Sequence, residues 1–158
     1  MSVTNEQVAA LRAQLAGDIE EHNRLLKQLR EHDDGIGYSI LLTAAFYGAA
    51  RRRFGRDWKP AEVILFVAGV RARAESIAST LDPRIAERVL SSVLSSDSIA
   101  SALTDSGIDD LDTEQVTGAE TYLLMAIIAD ERLRKAALDK FLAEARSRAD
   151  RVLADISD

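Results

Sequence analysis

The chain contains no cysteine, which excludes a disulfide, a thiolate nucleophile and any zinc site built on cysteine. Histidine is almost as scarce: His22 and His32 are the only two. Di-iron helical bundles use Glu-x-x-His pairs that face inward, whereas here Ile19 and Leu29 stand three residues before the two histidines. "EHDDGIG" (31–37) places a histidine beside an aspartate, as HD-type metal phosphohydrolases do. Such a site also needs histidines from other helices, and none follows His32. His22 falls among apolar residues and reads as a satisfied imidazole, buried or at an interface. His32 reads as a cation near the carbonyl end of a helix.

Other chemistries are missing as well. There is no Gly-x-x-x-x-Gly-Lys-Ser/Thr phosphate loop and no dinucleotide fingerprint. The acidic stretch "DSGIDDLDTEQV" (105–116) does not space its oxygens as a calcium loop does. Counted from Asp105, position three is Gly107; counted from Asp110, position six is Gln115 and position twelve is Thr121. We assign no catalytic, cofactor-binding or metal-ligating residue, expect no cofactor, and read the chain as not an enzyme.

Long apolar runs are also lacking. "GIGYSILLTAAFYGAA" (35–50) and "AEVILFVAGV" (61–70) both fall short of the roughly 20 residues of a membrane-spanning helix. They read as buried core helices. The stretch "MSVTNEQVAALRAQL" has neither the basic region nor the apolar region of a secretory signal. A cytoplasmic protein that does not enter membranes is expected.

With two prolines, no Asn-Gly turn and no sustained β alternation, little argues for strands. Helix signals fill the chain instead. Thr4 and Gln7 form a capping-box start, and Val8, Leu11, Leu15, Ile19, His22, Leu26 and Leu29 follow at steps of three and four. One helix is predicted from about residue 4 to a break at 33–35. A second spans about 37–54 and stops at Gly55. A third begins at Lys59–Pro60 and is apolar around well over half its circumference (Val63, Ile64, Leu65, Phe66, Val67, Val70), so it is expected at the centre. Asp82-Pro83 is the strongest boundary, with an N-cap followed by proline at the first helical position. A break after Ser95 leads to a short helix capped by Ser96 or Asp97. The last helical region starts near Thr113; running unbroken to Ile156 it would span roughly 65 Å. A domain of this length measures about 40 Å across, so a break near Ala129–Asp130 or a protruding arm is required.

The chain thus reads as a single all-helical domain over residues 1–158: a bundle of five to seven helices, a central helical hairpin, and long terminal helices paired with each other. Leu138, Phe141, Ala145, Ala149, Val152 and Ile156 repeat the narrow cadence of the first helix, which suits shallow helix pairing. A seam of Leu15, His22, Leu29, Leu138, Phe141, Leu142 and Val152 is the candidate for self-association, with a homodimer as the expected assembly.

Charge is distributed unevenly. Residues 1–37 carry −3, residues 38–81 carry +4 and residues 82–158 carry −7, within a net charge of −6. The positive region holds a candidate docking patch of Arg51, Arg52, Arg53, Arg56, Trp58 and Lys59, fitted to an acidic protein partner. At 100° per residue the three adjacent arginines fan across about 200° of a helix, so nucleic-acid binding is not expected. Six of the eight aromatics lie between Tyr38 and Phe66. They read as core, with a pocket for an apolar ligand as the competing possibility. The expected function is a non-enzymatic, self-associating protein–protein interaction module. A small-ligand regulatory domain and a nucleic-acid binder are the alternatives.

Overall fold

The structure, a computed structural model, describes residues 1–32, 35–104 and 110–157. Among the described residues it is all-helical, with nine helices rather than five to seven: α1 (Asn5–Leu15), α2 (Ile19–His32), α3 (Ile36–Phe54), α4 (Pro60–Arg71), α5 (Glu75–Thr80), α6 (Pro83–Ser95), α7 (Ile99–Leu103), α8 (Thr113–Glu131) and α9 (Lys135–Ser157). The expected break at 33–35 lies partly outside the described residues, as do Asp105, Gly107 and the rest of the acidic loop up to residue 109. No helix among the described residues is long and apolar enough to cross a membrane.

The extra helices come from turns that the apolar periodicity ran through. The predicted first helix breaks at Gly17, whose φ of +82° no helical residue adopts. Asp18 then restarts the chain, its carboxylate accepting from the Glu21 N–H at 3.3 Å. α2 folds back onto α1 instead of extending it, which leaves Ile19 of the predicted stripe exposed. In the last helical region α8 ends at Glu131 and α9 begins at Lys135, so a break falls where length demanded one. Arg132 (φ 55°) and Lys135 (φ 50°) bracket it in the left-handed region. Asp82 caps α6 by accepting from the Arg84 and Ile85 N–H groups at 2.8 and 3.2 Å. The short α7 is capped by Ser98 rather than by Ser96 or Asp97.

Contacts divide the chain into two compact units, Met1–Ala45 with Ile128–Asp158, and Phe46–Ile127. In the first unit α1 packs on both α2 and α9. Three polar links fix α1 antiparallel to α9. The Val3 N–H donates to Asp150 Oδ1 at 2.7 Å, Arg146 reaches Asn5 Oδ1 and the Val3 carbonyl at 2.7 Å each, and Arg12 pairs with Asp139 at 2.6 Å. The pairing of the chain's two ends is therefore present within one chain.

In the second unit α4 lies on α6 and α5. Val63, Phe66, Val67 and Val70 of α4 are buried, as are Ala86, Val89, Leu90 and Val93 of α6. Arg71 closes α5, donating from Nε to the Leu81 carbonyl at 2.8 Å and from Nη2 to the Ala78 carbonyl at 3.0 Å. These carbonyls belong to the end of a helix, where a cation also meets the negative end of the dipole.

Candidate interaction surfaces

The arginine turn is largely occupied inside its own unit. Arg51 donates to the Ser96 carbonyl at 2.7 Å, and its guanidinium lies 5.0 Å from the Tyr47 ring centre. Arg53 sits 5.3 and 5.5 Å from the rings of Phe54 and Phe66, which meet edge to face at 5.4 Å. Each contact of this kind is worth about 0.5–1 kcal/mol at an exposed site. Arg52, Arg56 and Lys59 are exposed, and Trp58 is half-buried. The fan expected from the helical angle is what the side chains adopt: Arg51 and Arg53 turn to different partners.

The terminal seam is occupied too. Leu138, Phe141, Leu142 and Val152 are buried within one chain, at 9% exposure or less. His22 is buried in the first unit too, and its Nδ1 hydrogen bonds to the Ala10 carbonyl at 2.7 Å. That contact ties α2 to α1 and accounts for the imidazole structurally. Leu29 and Leu15 are half-buried. Of the seam, His22, Leu138, Phe141, Leu142 and Val152 thus lie in the interior of the first unit, while Leu15 and Leu29 remain partly exposed.

Leu15 also lines a groove of about 550 Å³ with Arg12, Leu133, Arg134, Lys135 and Leu138. Lys135, with its left-handed backbone, is among the residues that line it. Among the described residues no group of three or more histidine, aspartate or glutamate side chains is placed to hold a metal ion. In the second unit Arg88 pairs with Asp110 at 2.6 Å, and this hydrogen bond holds the Asp110 carboxyl below its usual range.

The surface that sequence reasoning missed is the outer face of α4. Expected at the centre, this helix is buried on one side only. Leu65 is 73% exposed and Ile64 51%. Ala61, Ala68, Gly69 and Ala72 are exposed beside them. At 100° per residue these six fall on the side opposite Val63, Phe66, Val67 and Val70. A helix that is apolar all round is normally enclosed, yet this one shows half its circumference to solvent. Other exposed large apolar residues, such as Ile36 and Leu103, stand singly, which needs no special account. A visible signal was present in the sequence. The side-chain sizes segregate, with bulky residues on the buried side and mostly small ones opposite. Comparison with known proteins finds no family model that matches this chain, no curated protein similar to it and no solved structure similar to it.

Proposed function

We propose that the chain is a non-enzymatic helical protein–protein interaction module that self-associates, and that the outer face of α4 is its working surface. The observation carrying this reading is the exposure of Ile64 and Leu65 on a helix whose opposite side is already buried. Complete burial of a leucine or isoleucine is worth about 1.5–3 kcal/mol, so covering both residues on each of two chains repays association. A single three-turn helix offers a contact at the small end of specific interfaces. The expected assembly is accordingly reversible, forming with rising concentration in the micromolar range.

Light scattering across a dilution series tests the proposal. The wild-type mass should rise from one chain toward two, and Leu65→Glu should hold it at one chain with helix content unchanged. A wild-type protein that stays monomeric at every concentration would refute it. So would a dimer indifferent to Leu65→Glu.

A further inference from the structure

We propose that the groove at the α8–α9 turn binds a small amphiphilic anion, a phosphate or carboxylate carried on a short apolar chain. The groove lies wholly within the first unit, formed by the end of α1, the end of α8 and the start of α9. It shares no residue with the outer face of α4, and neither site depends on the other.

The charged side chains that line the groove have one sign. Arg12, Arg132, Arg134 and Lys135 reach it, and among the described residues no carboxylate does. Arg12 is already matched by Asp139. Among the described residues the other three, all exposed, make no ion pair. Asp130 and Glu131 at the end of α8 do not line the groove, and each has an interaction of its own. Three cations within four positions therefore stand close enough to repel one another with little screening by salt.

Folding alone does not favour cations in this turn. Lys135 opens α9, whose first turn contains no acidic residue. The start of a helix carries positive partial charge, so a cation there opposes the dipole where an acid would complement it. Arg132 (φ 55°) and Lys135 (φ 50°) also adopt left-handed backbone, which is unfavourable for any residue with a Cβ. At three other turns the left-handed positions are filled by Gly17, Gly35 and Gly55. Here both hold long cationic side chains instead. A bound anion reverses each of these penalties. It relieves the repulsion among the cations, complements the dipole of α9, and accepts the forked donors of Arg132 and Arg134.

The apolar part of the groove fits what carries the anion. Leu15 and Leu133 are half-buried and line it. A bare inorganic ion would leave both leucines in water, whereas an apolar chain would cover them. The volume of about 550 Å³ lies within the range of small-molecule sites.

Isothermal titration calorimetry with octyl phosphate, octanoate, inorganic phosphate and octanol, each below any micelle concentration, tests the site. Octyl phosphate or octanoate should bind once per chain, about tenfold more tightly than inorganic phosphate, and octanol should give no measurable heat. No binding by either amphiphile would overturn the proposal. So would octanol binding as well as they do, or inorganic phosphate doing so. Arg134→Glu should weaken binding about tenfold with unchanged helical circular dichroism. Lys135→Gly separates binding from folding, because it removes a cation and the left-handed strain together. It should raise the melting temperature and weaken binding about fivefold. Leu65→Glu, on the α4 face, should leave the affinity unchanged. Full affinity in Arg134→Glu or Lys135→Gly, or its loss in Leu65→Glu, would place the ligand elsewhere and overturn the assignment.

Discussion

Burial pushes the Tyr38 phenol up to about 12 from an ordinary value near 10. Below about pH 10 the phenol is neutral in both folded and unfolded chains, and its burial costs nothing through ionisation. Between about 10 and 12 the unfolded chain releases the proton and the folded chain keeps it, so stability falls as pH rises. Two units correspond to about 3 kcal/mol. Urea melts at pH 9 and pH 11.5 should differ by about 2 kcal/mol, because the full loss is reached only above the folded-state value, and Tyr38→Phe should flatten the difference. Asp82 offers a second test at this scale. Its two hydrogen bonds to the start of α6 predict a loss of about 1 kcal/mol for Asp82→Ala, read from the midpoint of a thermal or urea melt. Residue-scale signals were the most legible part of the sequence, because a cap is a local arrangement. Thr4 with Gln7, and Asp82 with Pro83, form the predicted caps. At α7 the sequence points to Ser96 or Asp97, and the cap is the neighbouring Ser98, because in a run of capping residues spacing does not fix which one starts the helix.

At the scale of the element, two glycines predict opposite outcomes for one substitution. Gly17→Ala places a Cβ on left-handed backbone, at a cost of about 1–2 kcal/mol, even though nothing lies within 4 Å to clash. Gly69→Ala sits in a regular helix with open space around it. Measured at dilutions where the chain is monomeric, it should gain about 1 kcal/mol. Chemical denaturation of the two variants side by side checks both signs. The same pair shows where element boundaries escaped the sequence. Leu11, Leu15, Ile19 and His22 keep helical spacing across Gly17, although the fold-back buries Leu11 and His22 and leaves Ile19 43% exposed. Periodicity therefore could not separate a straight helix from one that folds back. For α4 it misled, because an apolar side chain has the same hydropathy whether its own chain or another covers it.

The whole molecule separates the terminal seam from the α4 face by how each fails. Leu142 is 1% exposed, and a glutamate there would bury a charge without a partner, which a domain of marginal stability cannot absorb. Leu142→Glu should lose its helical circular dichroism at room temperature or melt well below the wild type. Leu65→Glu should keep both signal and melting temperature at dilution, changing only the mass. The all-helical class was legible from composition and spacing, and so was the pairing of the chain's ends. Whether one chain or two supplied that pairing was not legible, since the cadence of Leu138, Phe141 and Val152 suits either.

The link between Val3 and Asp150 spans 147 residues, and this sets an order of events during synthesis. A ribosome adds about 5–20 residues per second, so α1 waits about 7–30 s for the segment of α9 that it packs against. Residues 46–127, a continuous stretch, emerge whole within that interval and have no such wait. Through that time Leu11 and its neighbours on α1 lack the cover that α9 gives them. The α1–α2 hairpin, closed by the short Gly17 turn, is then the shelter available to a nascent apolar stripe. A chain stalled before residue 138 would carry that stripe half-covered, and would be the form most readily bound by a chaperone.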